Sequence, residues 1–214
     1  MTELFDLFPT PLMHVAGAIT LEHAMALQQH FVAQPGTANQ RSSALSHTRV
    51  FGPGDDAQLA GLVATLLPHV AAFGQQLFGQ SLDWTIKELW ANLLQTGGSQ
   101  SVHNHANCFV SGVLYLSQSH PSSRTAFVRA LGGHEFSFRN THEGSSVGPY
   151  SAQKWLAPQP EPGDLILFPS YLLHEVPPNQ GGPRVSLAFN AIPHRLDAWG
   201  YAVSFQPCSS KAFA

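Results

Sequence analysis

Charge is scarce in this sequence. Only 11% of its 214 residues are charged, against about 25% in an average soluble domain. Ten Lys plus Arg stand against 13 Asp plus Glu, so the formal charge is −3. A charge-driven disordered chain is excluded by the 43% hydrophobic content, and no basic footprint exists for a phosphate backbone. Cysteine is nearly absent. Cys108 and Cys208 lie a hundred residues apart and form neither a CxxC nor a disulfide framework. Long apolar runs are missing too. Stretches such as Leu165 to Phe168 or Ala71 to Phe73 fall far short of the ~20 residues that span a bilayer. The opening residues, Met1 to Pro9, carry Glu3 and Asp6 and no basic region followed by an apolar one. No secretory signal is read there, and the cytoplasm is the expected compartment.

What is present organises into two parts. Leu4 to Met13 mixes apolar residues with Pro9 and Pro11, which forbid helix and suit an edge strand or an arm wrapped on the body. Residues 21 to 33 place Leu21, Met25, Leu27, Phe31 and Val32 near a 3.6 period before Pro35-Gly36, which predicts an amphipathic helix. Thr37 to Gly54 reads as a loop around one strand at Thr48 to Phe51. A second helix over residues 56 to 78, capped by Asp55 or Asp56, carries Leu59, Leu62, Val63, Leu66, Leu67, Val70, Phe73 and Leu77 and is interrupted by Pro68. After Ser81 the period changes. Trp84 to Leu94, Cys108 to Leu116, Leu165 to Phe168 and Val185 to Ile192 are short β-rich runs between Gly, Pro, Asn and Ser clusters. The expected class is α+β, one domain over residues 1–214: an arm and supporting helices over 1–80, then a sandwich or jelly-roll β-body over 81–214. Residues 118 to 162 read as a long loop region shaping the substrate entrance, with a strand pair expected at His134 to Arg139.

Histidine is the abundant residue, 12 of 214. At that frequency roughly 0.7 His-x-His pairs arise by chance, so His103-Asn104-His105 alone is weak. At a strand end, however, positions i and i+2 project from one face and both imidazoles can meet one ion. A second segment adds weight. Gly163 to Phe168 launches an apolar strand that is read as ending at His174 before Pro177-Pro178, and a buried terminal histidine needs a partner for its nitrogens, which a metal supplies. If the loop Pro177 to Pro183 joins adjacent antiparallel strands, Arg184 returns beside His174. Arg184, Ser186, Ala188 and Asn190 then share one face, and Val185, Leu187 and Phe189 the core face. An inward Arg wants an anion, and its fork matches a carboxylate; the bland alternative is a structural ion pair with one of the 13 acids.

A histidine pair, a distant histidine and Arg-x-Ser about ten positions later resemble the signature of the Fe(II)/2-oxoglutarate oxygenases on the double-stranded β-helix. The similarity extends over Leu7-Phe8-Pro9-Thr10-Pro11, Trp90-Ala91-Asn92, Ser111 to Leu116, Gly163 to Pro169 and Arg184-x-Ser186-x-x-Phe189-Asn190. It is closest to a branch carrying a His-x-His…His metal motif. The resemblance implies Fe(II) and 2-oxoglutarate as cofactors, with His103, His105 and His174 as the iron ligands and catalytic centre. It implies Arg184 with Ser186 as the clamp for the distal carboxylate of 2-oxoglutarate, and Asn92, Tyr115 and Asn190 as further cosubstrate contacts. Tyr115 is equally suited to the core. His105 stands where most relatives place Asp, so the usual two-His-one-carboxylate triad becomes three neutral imidazoles.

The implied reaction oxidises a small-molecule or amino-acid-type substrate with molecular oxygen and releases succinate and CO2; the oligomeric state stays open, a homodimer included. A cupin-type three-histidine metal dioxygenase or metal-binding protein is the rival. Gly163, Pro169, His174 and Asn179 nearly meet the cupin motif, but Tyr171 replaces its glycine, Asn179 falls one position late and no Glu stands at Phe109 or Val110. A non-catalytic domain with surface histidines is the third class. A serine or cysteine hydrolase has no support, because no nucleophile elbow exists and Cys108 lies in an apolar run.

Overall fold

A computed structural model describes residues 2–55, 57–129 and 143–206. The strand pair expected at His134 to Arg139 lies outside the described residues. Two helices come first, α1 (Leu21–Val32) and α2 (Ala57–Phe78). Thr20 caps α1 through its hydroxyl, which accepts from the His23 N–H. The helix continues through Pro68 in α2. Around these helices run β1 (Met13–Val15), β2 (Thr37–Ala38) and β3 (Ser43–His47). Then follow β4 (Trp84–His103), β5 (Val110–Tyr115), β6 (Ala126–Val128), β7 (Lys154–Leu156), β8 (Leu165–Pro169), β9 (His174–Val176) and β10 (Arg184–Pro193). A separate hairpin, β11 (Arg195–Ala198) with β12 (Tyr201–Ser204), closes the described chain.

The ten main strands form one antiparallel sheet, ordered β1-β8-β5-β10-β4-β9-β6-β7, with β3 also on β4 and β2 on β3. It curls into a half-barrel because β4 belongs to both walls. Its first half pairs with β10, from Pro193↔Trp84 to Arg184↔Leu94, and its last residues pair with β9 at Gln100↔Val176 and His103↔His174. The sequence reading ended this strand at Leu94, on the strength of Gly97-Gly98. Those glycines instead let the strand turn from one wall into the other: Gly97 has φ 78°, and the Gly97 N–H donates to the Asn179 carbonyl while Asn179 N–H donates to Gly98.

Two further expectations shift for the same reason. The strand near residue 48 forms earlier, as β3, because Ser43 to His47 pairs along the β4 edge, leaving Phe51 a single bridge to Leu89. His174 does not end the Leu165 strand but opens β9, in the other wall, after a turn over Ser170 to Leu173. Accordingly β9 and β10 are not neighbours, and Arg184 returns beside Leu94 of β4, not beside His174. Their joining loop crosses between the walls, pinned by Asn179, whose amide donates to the Gly182 carbonyl and accepts from the Gly181 N–H.

Alternation sets the core. Val185, Leu187 and Phe189 of β10 and Leu165 and Leu167 of β8 point to the helices, where they meet Leu27, Phe31, Leu59, Leu62, Leu66, Val70 and Phe73. The even positions of β8, Ile166 and Phe168, face the other way, with Tyr115 and Phe127, between the two walls. The sheet thus has one face under helices, and its hollow face is free for a site. The expected arm is realised as β1 on the outer edge of β8, while Leu4, Phe5, Leu7 and Phe8 stay exposed.

Candidate active site

The hollow face of the three central strands is built in rows two residues apart. Ser186 lies between Asn92 and Tyr115, Ala188 between Trp90 and Val113, and Asn190 between Glu88 and Ser111. Arg184 continues the same face one row on. These side chains and the facing wall enclose a pocket lined by Asn92, Trp90, Gln100, His103, His105, Thr125, Phe168, His174, Arg184, Ser186 and Ala188. Six of the eight sequence-predicted site residues therefore meet in one cavity. Tyr115 and Asn190 stand behind its wall.

At one end of the cavity the three histidines converge, with ligand atoms within 4.8 Å of one another. Nε2 of His105 lies 3.3 Å from Nε2 of His174, and metal–imidazole distances of about 2.0–2.1 Å place adjacent ligands of one ion roughly 3 Å apart at right angles. The rings are held from behind. Nδ1 of His174 bonds the Leu172 carbonyl at 2.9 Å and Nδ1 of His103 the Ser101 carbonyl at 2.8 Å, which leaves Nε2 of each facing its neighbours. The His105 ring stacks on Trp90 at 5.6 Å, and its backbone N–H donates to the Ser170 carbonyl. Phe168 packs edge-on against His174 at 4.8 Å.

The electrostatics of this cluster suit it to hold a metal ion. Burial lowers the His174 pKa to about 3, with the neighbouring imidazoles adding to the shift and the Leu172 carbonyl opposing it. Burial and His103 lower His105 to about 4, against the Asn190 hydrogen bond and Glu88. Burial also lowers His103, with the Ser101 carbonyl opposing. Near neutral pH all three are uncharged and offer lone pairs, the state a divalent metal needs. No other group of three His, Cys, Asp or Glu able to hold an ion is present among the described residues.

The other end holds Arg184, 3% exposed. Its Nε is buried without a hydrogen-bond partner, and no carboxylate among the described residues lies within ion-pair distance. Among the described residues the structural ion pair considered from sequence is not found. Its guanidinium sits over the Tyr115 ring at 5.0 Å, and Tyr115 is in turn tied to Thr125 at 3.1 Å. A buried cation with an orphaned donor is costly to leave unpaired, and an incoming carboxylate would satisfy it with two parallel hydrogen bonds. The site therefore fits both a metal ion and a dicarboxylate reaching from it to Arg184.

Sequence reasoning missed Glu88, Trp90, Gln100 and Thr125. The signal for two of them was present: reading backwards from Asn92 by twos along one strand face gives Trp90 and Glu88. Gln100, whose amide lies 3.4 Å from His103 Nε2, was hidden by ending the strand too early.

Comparison with known proteins agrees with this geometry. Residues 88–190 match the family model described as "Putative 2OG-Fe(II) oxygenase", a stretch containing all of the cluster and the clamp. Over this stretch, just under half of the chain, the sequence is similar to that family. Curated proteins give no significant match. Solved structures share the fold. HygX from Streptomyces hygroscopicus, with nickel and 2-oxoglutarate bound, superposes with a TM-score of 0.61 at 16% identity, over 86% of this chain and 83% of that one. A Pseudomonas putida prolyl-4-hydroxylase gives 0.59 at 18% identity over 85% and 92%. The α-ketoglutarate-dependent epimerase SnoN from nogalamycin biosynthesis gives 0.62 at 15% identity over 91% and 81%. No helix among the described residues is long and apolar enough to cross a membrane.

Proposed function

We propose that this chain is a single-domain iron- and 2-oxoglutarate-dependent dioxygenase on a double-stranded β-helix, hydroxylating a small-molecule or amino-acid-type substrate with succinate and CO2 as coproducts. The observation that carries the reading is the pairing, in one cavity, of three imidazoles, one buried and two half-buried, with a buried guanidinium that has no carboxylate partner among the described residues. His103, His105 and His174 hold the metal through Nε2. Arg184 takes the far carboxylate of 2-oxoglutarate in a fork, with the Ser186 hydroxyl and the Asn92 amide on the adjacent row of the same face. Tyr115 supports the guanidinium from below. Iron and cosubstrate, when bound, supply the oxygen-activating chemistry. The protein contributes position and dryness: Trp90, Phe168 and Phe127 wall the imidazoles with apolar surface.

The test is an anaerobic iron titration with and without 2-oxoglutarate, followed by succinate release on admitting air. One iron per chain is expected, 2-oxoglutarate binding that requires it, and loss of that binding in Arg184→Ala with iron uptake retained. Iron uptake without 2-oxoglutarate binding in the unaltered protein would favour a cupin-like metal protein. Because an epimerase shares this fold, hydroxylation is checked separately, by incorporation of label from ¹⁸O₂ into product.

A further inference from the structure

The wall that the end of β4 forms with β9, β6 and β7 carries one aromatic residue that the metal site does not use. Across this wall His103 pairs with His174, His174 with Phe127, and Phe127 with Trp155. Directly opposed residues of antiparallel strands project from one face, so the four side chains form a single row. Ring contacts follow it: 4.2 Å between His103 and His174, 6.3 Å between His174 and Phe127, and 6.3 Å between Phe127 and Trp155. The row begins at the histidine cluster and ends on β7, at the edge of the sheet.

Trp155 is 50% exposed, whereas Phe127 is buried and held edge-on by Phe168 at 5.1 Å. Single apolar residues on a surface are common and need no explanation. This one differs because strand alternation puts it on the hollow face, in the row of the histidines, so the indole presents free surface at the open edge of the hollow. The charged neighbours face away. Lys154 and Glu175 occupy alternate positions, opposite Val128 and Ala126, and pair with each other. On the hollow side Phe127 is surrounded by Phe168, Ala157, Leu12 and Leu172, which offer apolar contact and no charge. Two strand steps of about 4.8 Å separate Trp155 from His174, a gap that one aromatic ring with a short substituent bridges.

We propose that Trp155 is the substrate-binding shelf of this site and that the group it takes is a neutral aromatic ring, stacked on the indole with its reacting position toward the three histidines. The inference rests on the reading of those histidines as the reaction centre, and it narrows the substrate class which that reading leaves open. Trp155 touches the substrate and neither the metal nor the cosubstrate. An indole supplies a large, rigid contact surface at low conformational cost, and ring-on-ring stacking adds to what apolar burial alone contributes. A cation would meet the same ring face but would find no carboxylate to complete its site, since Glu175 lies on the opposite face of the wall.

The experiment uses the full chain, ¹⁵N-labelled at tryptophan, with blocked amino acids as probes. N-acetyl-L-phenylalaninamide carries a neutral ring and no carboxylate, so neither Arg184 nor a metal is needed to hold it; N-acetyl-L-lysinamide supplies a cation instead. The indole N–H signal of Trp155 is identified by its loss in Trp155→Phe. In the unaltered metal-free protein the phenylalanine probe should shift that signal saturably, and the lysine probe should leave it in place. Saturation-transfer titration should show binding of the ring about 10- to 200-fold weaker in Trp155→Ala, the range set by one apolar group in a pocket, with most of it recovered in Trp155→Phe. An unshifted Trp155 signal overturns the proposal, as does equal or tighter binding of the lysine probe, or undiminished affinity in Trp155→Ala. Should Trp155→Ala fail to fold, the signal of the unaltered protein and the Trp155→Phe affinity decide. A chain that binds the ring but releases no succinate with iron, 2-oxoglutarate and air sinks the oxygenase reading and keeps the shelf; succinate release without ring binding sinks the shelf alone.

Discussion

Asp164 shows how a single buried carboxylate ties the arm to the barrel. Its oxygens accept from the Gly17 N–H at 2.8 Å, the Glu161 N–H at 3.0 Å and His14 Nε2 at 2.9 Å. Burial alone would raise its pKa, and these donors together overcome that and hold it below the usual 3.8. A carboxyl whose folded pKa is depressed adds stability above its unfolded pKa and loses it as pH falls through the lower folded value. Asp164→Asn keeps one acceptor oxygen and turns an NH₂ toward a donor, so it is expected to cost about 1–3 kcal/mol at pH 7. Urea unfolding of both proteins at pH 7 and pH 3 measures this, and the gap should narrow at the lower pH. A gap that widened on acidification would mean that the carboxylate is not the stabilising species.

Among the strands, close approach decides which residue is tolerated. Gly112 of β5 lies opposite Phe189 of β10, and a Cβ there would stand 2.2 Å from the Phe189 ring. Gly112→Ala must push that ring off the helices, and overpacking of this kind costs about 1–3 kcal/mol. Thermal unfolding should show the loss, and Phe189→Leu in the same chain should recover part of it, since contacting residues couple. Additive losses would place the strain elsewhere. Much at this scale was legible. The helical period of Leu59 to Phe73 comes from one side being buried, and the alternation of Arg184 to Asn190 from one apolar face under the helices and one polar face toward the hollow, both faces being buried; the structure has both. What escaped the sequence depends on pairing between distant segments. Whether Gly97-Gly98 ends a strand or bends it is set by Asn179, and whether His174 closes β8 or opens β9 is set by the far end of β4. Neither partner is adjacent in the chain, so local pattern could not choose.

Across the whole molecule the three histidines gather on the wall that the end of β4 forms with β9: His103 and His105 come from that end and the turn beyond, and His174 from β9. The same logic explains why the site was more legible than the topology. Chemistry requires the histidines to converge whatever path the chain takes, so residue type and spacing could indicate the cluster even where the connection between Arg184 and His174 was misread. An ion gripped by all three binds the folded chain and not the unfolded one, and it therefore stabilises by about 2.7 kcal/mol at a hundredfold excess over its dissociation constant. For a chain of this length that corresponds to roughly 5–10 °C in Tm. Anaerobic calorimetry with Co(II) is expected to show this shift in the unaltered protein and none in His174→Ala. Adding 2-oxoglutarate should raise Tm further only when metal is present, and Arg184→Ala should keep the first increment and lose the second. A His174→Ala protein that gained the full metal shift would place the ion somewhere other than at these histidines.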